Sequence, residues 1–576
     1  MRGYAGGVIR TWTFTAACFV ALSLLAAGSA LWLMHARARD LGGGPDVLGY
    51  DAAQYALAGR ELAEHGRLAT SFALPVELAR PGKPPWPLAL VQPGLVLSEA
   101  ALFRVFGSSS PVRAAPLVLV LPLLSYLATA LLLAFATWSL IARGAPDVPQ
   151  DEAALAALAV GLGFLLDPEA QHFATGGFTE LPFTLGLAAA LAAIARGSRM
   201  PAVVFGLLLG VTGLFRGNML WLAPALALAF AWSTPRGARA FAAVLAGYAI
   251  VLAPWWFYKW RAFGTPAWDL SALSIWDGVG GRTWFSLNHL PQLPDVPHGA
   301  AAARALAGKL CHNLRVLLLE LATGPRTLWV AGLAVALFGG ASGPGAIPAG
   351  GESAGRGPRG AALAALLVLG LALLTAAISV PLFRYLLPAR LLVEAAGLVA
   401  VWAFLWHMPH DWAALRAKRV LCAALAVLAL GWGVWLSARG TADAASVASE
   451  RGMPSRAVFE ELSRTLDATL RPGEPVMSNL GPTLAWYSRR PVLHLALTPS
   501  DMEKCRERLE FDEVVVVFRQ ASRAWPGWSE LIASPSEAPT HREWNVRRVR
   551  AWTVRGGFNV VWLELGAPRT PMALAR

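Results

Sequence analysis

Charge is what this chain has least of. Lys, Arg, Asp and Glu make up 15% of its 576 residues, 56% are hydrophobic, and the mean hydropathy is +0.50. Ordinary globular domains are about one-quarter charged and about 45–50% apolar, so a string of soluble domains is excluded. The deficit is uneven, with long uncharged runs of the kind that lie in a bilayer. Cysteine is scarce as well. Cys18, Cys311, Cys422 and Cys505 are far apart, which excludes a cysteine-based zinc site or redox pair. Cys18 and Cys422 sit within apolar runs as small residues, while Cys311 and Cys505 stay open as a disulfide pair outside the membrane. The net charge of +13 and pI near 10.2 do not indicate nucleic acid. The basic residues are scattered over short loops and form no stripe, as expected beside membrane spans.

The apolar runs predict about eleven membrane helices, several of them short for a straight crossing. The first covers Thr11–Met34, too long an apolar stretch for the usual secretory signal, although His35–Ala38 resembles a cleavage site. The others cover Pro116–Ile141, Ala153–Leu166, Leu181–Ile194, Pro201–Phe215, Met219–Trp232, Phe241–Trp256, Thr327–Gly339, Ala361–Val380, Leu391–Trp406 and Val420–Leu436. Alternate short loops carry Arg143, Arg196, Arg199, Arg236, Arg239, Arg356, Arg359, Arg416, Lys418 and Arg419. The positive-inside rule makes these cytoplasmic and puts the N-terminus inside. An odd number of spans then puts the chain beyond about Ser437 outside.

The expected organisation is a mainly α, polytopic membrane bundle over 1–437 and a small extracytoplasmic α/β domain over 438–576. Two long external segments, about 35–112 and 261–310, interrupt the bundle; the second has the alternative reading of two short crossings. In the first, Asp51–His65 reads as a helix stopped by Gly66, and Pro87–Phe106 as a second, interfacial helix. Residues 341–360 read as a flexible cytoplasmic loop. In the C-terminal segment, short β-type runs at Pro475–Ser478, Val492–Leu495, Val514–Phe518 and Phe558–Leu565 alternate with helical stretches at Ser455–Leu470 and Pro499–Leu509. This segment has no internal repeat, no glycine-rich phosphate loop and no nucleophile elbow.

Carboxylates at the membrane boundary are the first candidates for chemistry. Asp51 opens the first external helix in YDAAQY, and Tyr55, one turn on, shares its face; Asp51 as a helix cap is the competing reading. Glu180, in FATGGFTELPF, suits a helix start, but beside Leu181, Pro182 and Phe183 it needs water or a partner. Asp167 and Glu169 read as solvated. Lys83 stands in RPGKPPWP with stiff prolines behind it. Arg384 lies next to Tyr385 in FRYLLP, and Arg216 interrupts two apolar spans at their external turn. Each of these cations suits phosphate, whether on a substrate or on lipid headgroups.

Taken in order, YDAAQY with LAEHG, KPPWP leading to LFRVFG, TELPF, GLFRGN, LAPWWFYKWRAFGTP and FRYLLPAR resemble the GT-C glycosyltransferases. The branch is that of bacterial aminoarabinose transferase and the protein O-mannosyltransferases, and the resemblance covers nearly the whole chain. It implies an inverting transfer of a sugar from a polyprenyl-phosphate donor to an envelope acceptor (lipid, glycan or protein) at the outer face of the inner membrane. Asp51 then matches the catalytic acid and Glu180 a second carboxylate. Lys83 matches a donor-phosphate ligand, with Arg384 and Arg216 beside it, and Tyr55 and Tyr385 would position substrates. A divalent metal is a candidate to share the phosphate clamp, although no ligand set calls for one; His289 and His298 read as core or surface residues. Two rival classes are a transporter or flippase and a non-catalytic envelope scaffold. A proton-relaying transporter would place acids at mid-membrane depth, where the expected spans have almost none.

Overall fold

A computed structural model describes residues 2–40, 48–80, 82–144, 149–196, 200–234, 237–295, 298–322, 356–407, 454–518, 526–540, 544–554 and 557–567. The expected spans Thr327–Gly339 and Val420–Leu436, most of the 341–360 loop, and Cys422 lie outside these residues. The chain is mainly helical, with a small C-terminal sheet. It divides into two compact units, one of residues 1–36, 119–261 and 310–446, the other of residues 37–118, 262–309 and 447–576.

The first unit holds α1 (Arg2–Asp40) up to Ala36 and the helices α5 (Val120–Gly144), α6 (Gln150–Leu165), α7 (Pro168–Thr175), α8 (Glu180–Ala195), α9 (Ala202–Gly213), α10 (Met219–Trp232) and α11 (Gly237–Phe263), followed later by α14 (Arg356–Ile378) and α15 (Leu387–His407). Among the described residues, three helical runs, Thr13–Arg37, Pro111–Ala142 and Gly237–Phe263, are long and apolar enough to cross a membrane. A fourth crossing arises if α6 and α7, bent by 60°, form one broken span. The protein is a membrane protein. Its helices pack α5 on α6 and α8, and α14 on α10 and α8, around a core that includes Leu22, Tyr126, Phe164, Phe183, Phe205 and Phe230.

The second unit joins the external segments to the C-terminal segment. It contains α2 (Tyr50–His65), short strands β1 (Ala69–Thr70), β2 (Phe72–Ala73) and β3 (Trp86–Pro87), α3 (Pro93–Val105), α4 (Pro111–Val118), α12 (Trp284–Asn288) and the first half of α13 (Gly299–Ala322). From the C-terminal segment come α16 (Arg456–Thr469), β4 (Val476–Ser478), α17 (Gly481–Ser488), β5 (Val492–His494), α18 (Pro499–Arg506), β6 (Glu513–Phe518), α19 (Ser529–Ala533), β7 (Val546–Val554) and β8 (Phe558–Leu565). Six strands form one sheet in the order β2-β5-β4-β6-β8-β7, parallel through β6 and antiparallel beyond it. Helical crossovers α17 and α18 supply the length that parallel pairing needs. The edge strand β2 comes from the first external segment and pairs Phe72 with Val492.

Several expectations shift in detail. Gly66, at φ 70, ends α2 as a left-handed C-cap. The helix expected from Pro87 starts only at Pro93, which is tolerated in a first turn, and Trp86–Pro87 form β3 instead. The helix α13, the bent α7, α17 and β7 were not anticipated. The β7 sequence VRRVRAWTV carries three arginines and is exposed at five of its nine positions, as suits an edge strand.

Candidate functional site

Asp51 is the second residue of α2. The N-cap is Gly49 and makes no side-chain cap, so Asp51 is not the capping residue. It stands part-exposed in the first turn, where unpaired N–H groups give the helix end partial positive charge. Tyr55 is part-exposed one turn on. Lys83 is exposed and lies between Gly82 and the cis Pro84–Pro85 bond. Trp86, three residues later, is buried in β3, which pairs with β1, and β1 packs on α2.

Directly before Asp51, the Tyr50 ring meets Phe72 edge-on at 5.8 Å and His494 at 5.3 Å. Burial, reinforced by the charge of Asp51, raises the Tyr50 phenol well above its ordinary value, while the Gln54 side chain hydrogen-bonds to it. His494 in turn meets the ring of His289 at 4.7 Å. His289 Nδ1–H donates to the Leu495 carbonyl at 2.8 Å, and the Leu497 amide donates to the His289 carbonyl at 2.9 Å. Burial lowers His289 to about 4 and His494 well below its ordinary value. His289 is thus a core residue. Nothing in the spacing of residues 50, 289 and 494 signals that they meet.

Glu99, on α3, is fully buried with both carboxyl oxygens lacking a partner among the described residues. Burial raises its pKa well above the ordinary value. A methyl group at Gly59 would sit 3.0 Å from Glu99 Cβ, so α2 and α3 are in close contact there.

In the other unit, Glu180, Arg216, Arg384 and Tyr385 come together. Glu180 is the first residue of α8 and only 4% exposed. Arg216 Nη1 lies 3.0 Å from its Oε1. The Arg216 guanidinium sits 5.3 Å from the Tyr385 ring centroid, and the Arg384 guanidinium is also 5.3 Å from that ring. One tyrosine therefore faces two cations, an arrangement favoured by the negative face of the ring. This answers the need of Glu180 for a partner. Asp51, Tyr55 and Lys83 belong to the second unit.

Asp167 and Glu169 correct the expectation of solvated acids. Asp167 caps α7, accepting from the Ala170 amide at 2.9 Å. Arg390 Nη2 donates to Asp167 Oδ2 at 2.8 Å and to Glu169 Oε2 at 3.0 Å. The sequence gives Arg390 only as one more loop cation, with no sign of two carboxylates 221–223 residues away. Cys311 and Cys505 are free thiols, so the disulfide reading lapses. Among the described residues no group of three or more His, Cys, Asp or Glu is placed to hold a metal ion.

No family model and no curated sequence matches the chain. Solved structures do. ArnT, the aminoarabinose transferase of Cupriavidus metallidurans, in a crystal structure bound to undecaprenyl phosphate, aligns over 96% of this chain and 99% of its own, with 15% identity and a TM-score of 0.52. The oligosaccharyltransferase AglB of Archaeoglobus fulgidus, in complex with an inhibitory peptide and a dolichol-phosphate, aligns over 96% of this chain and 75% of its own, with 13% identity and a TM-score of 0.54. Another structure of the Archaeoglobus enzyme, tethered to an acceptor peptide, gives 94% and 73%, 13% identity and a TM-score of 0.55. At such identities the likeness is one of fold, and the fold is the GT-C fold that the ordered sequence segments resemble.

Proposed function

We propose that this chain is a membrane glycosyltransferase that moves a sugar from a polyprenyl-phosphate-linked donor to an envelope acceptor. The observation that carries this reading is the fold. Over nearly its full length the chain is like two proteins solved with a polyprenyl phosphate bound. The cation pair around Tyr385 supports it, because a leaving lipid phosphate needs positive charge.

In the proposed reaction, the acceptor hydroxyl attacks the anomeric carbon from the face opposite the lipid phosphate. A new C–O bond forms as the bond to phosphate breaks, the phosphate leaves with the electron pair, and the configuration inverts. Asp51 accepts the hydroxyl proton; a positioned carboxylate contributes about 10²–10⁴-fold in this role. Arg216, Arg384 and Lys83 stabilise the phosphate charge, an effect that grows where water is excluded. Glu180 acts through Arg216, holding its guanidinium, and Tyr55 and Tyr385 position substrate groups. The proposal also includes about eleven spans, an internal N-terminus and an external C-terminal segment, from the bias of basic loops.

The test is transfer by the purified full chain in liposomes, supplied with undecaprenyl-phosphate-linked mannose, glucose, arabinose or aminoarabinose and an envelope extract. Labelled product from at least one donor is expected. No transfer from any donor, together with no binding of undecaprenyl phosphate, would contradict the proposal.

A further inference from the structure

The helix that carries Asp51 begins without a side-chain cap, so something else must fix its first turn. The immediately preceding residue pair is anchored by the C-terminal segment: Leu48 is fully buried and its carbonyl accepts from Thr483 Oγ1 at 3.4 Å. Tyr50 is enclosed by Phe72 and His494. Gly481, the first residue of α17, completes the enclosure. Its φ is +48, in the left-handed region that side chains rarely adopt. A methyl group there would sit 3.0 Å from Tyr50 Cε2, 3.1 Å from Phe72 Cε2 and 3.6 Å from His494 Cδ2. Residues from the first external segment and from two adjoining C-terminal elements therefore converge on the residue next to Asp51. His494 is itself braced by the His289 ring at 4.7 Å and by the Ser478 carbonyl 3.2 Å from Nδ1.

We propose that His494 and Gly481 are positioning residues that hold Tyr50, and through it Asp51, in the geometry that transfer requires. This rests on the reading of Asp51 as the base. The C-terminal segment then touches no reacting atom but sets where the carboxylate stands. A misplacement on the order of 1 Å can cost on the order of 100-fold in rate, so the effect falls on turnover more than on donor binding. A ring at position 494 suffices for the contact with Tyr50, and Phe replaces it in kind.

The experiment uses the full chain in detergent or liposomes. Hydrogen exchange is followed by mass spectrometry over residues 48–57, with residues 456–469 of α16 as control. His494→Ala and Gly481→Ala should each speed exchange over 48–57 by about tenfold, leave the control unchanged, and lower kcat with the panel of undecaprenyl-phosphate sugars while donor KM holds. His494→Phe should restore both. Unchanged exchange over 48–57 in His494→Ala overturns the proposal, as does a wild-type kcat in that variant. If His494→Ala also opens the control segment, His494→Gln, which keeps much of the volume and a hydrogen-bonding group, decides on the same criteria. Asp51→Asn, run beside these, separates the two levels. Normal transfer by Asp51→Asn removes the base and the positioning role with it. Loss of transfer there, with slow exchange and full kcat in His494→Ala, removes the positioning role alone.

Discussion

Arg216 Nη1 stands 3.0 Å from Glu180 Oε1, yet the pair is out of line for a hydrogen bond, and that nitrogen is buried with no hydrogen-bond partner among the described residues. The contact is electrostatic, and it leaves the arginine with a donor to spare. Such a cation, already neutralised in part and already desolvated, suits a phosphate oxygen better than one that must first shed water.

Glu180→Gln should therefore act through Arg216. Transfer should fall on the order of tenfold, mainly through a higher donor KM, because the guanidinium loses its counter-charge and its orientation. Loss of a general base would instead cost about 10²–10⁴-fold in kcat. Steady-state kinetics against donor concentration separates the two; a pure kcat effect would instead make Glu180 a proton acceptor.

Arg390 should matter for stability first. Its side chain is 3% exposed and is bonded to Asp167 and Glu169. Arg390→Met strands a buried carboxylate at the start of α7, and breaking a buried pair costs about 3–5 kcal/mol. Thermal unfolding in detergent should show a clear drop in midpoint. An unchanged midpoint would mean that Asp167 finds water or another partner.

These two cases show what the sequence carries and what it does not. The apolar helices were legible because long apolar runs have few other homes; the run Met219–Trp232 is recovered end to end as a helix, although at 14 residues it is short for a crossing. Strands such as Phe558–Leu565 were legible from β-branched and aromatic runs. By contrast, β2 is two residues long and takes its partner 420 positions away, Phe72 with Val492; no local pattern encodes that. The pairing of Arg390 with Asp167 is equally non-local. Candidate cations could be named because a charge beside an apolar run is conspicuous. Their partners could not, since ion pairing follows tertiary packing, and a buried pair such as His289 and His494 leaves no periodic trace.

Lys83 tests the donor-phosphate assignment on its own. It is exposed, so its removal should cost little stability. Lys83→Ala should raise donor KM about tenfold or more, whereas Lys83→Arg keeps the charge with altered geometry and should retain part of the function. Equal donor affinity in wild type and Lys83→Ala removes it from the phosphate site.

Stability should depend on pH in opposite senses in two windows. Burial raises Glu77 and Glu513 from 4.5 to about 7, and raises Glu99 well above its ordinary value. Folding favours their protonated forms, so this stability is present below about 4.5 and is lost as pH rises through about 7. His289, lowered from 6.5 to about 4, is favoured neutral; its contribution is present above 6.5 and is lost as pH falls through about 4. The two windows overlap between about 4.5 and 6.5, where the carboxyl contributions fall with pH as the His289 contribution rises, so the two limbs partly offset each other in the wild-type protein. Glu77→Gln should flatten the alkaline limb and His289→Gln the acid limb. Variants with an unaltered profile would show that these groups do not govern it.

The central claim is that Asp51 accepts the proton of an acceptor hydroxyl as a sugar leaves its lipid phosphate. Since Asp51 is not the cap of α2, Asp51→Asn should leave folding and membrane insertion intact. The direct measurement is transfer of labelled sugar from undecaprenyl-phosphate donors by the purified Asp51→Asn protein beside wild type at equal folded amount. Loss of transfer by about 10²-fold or more, with undecaprenyl phosphate still bound, is the predicted result; transfer at the wild-type rate would contradict it.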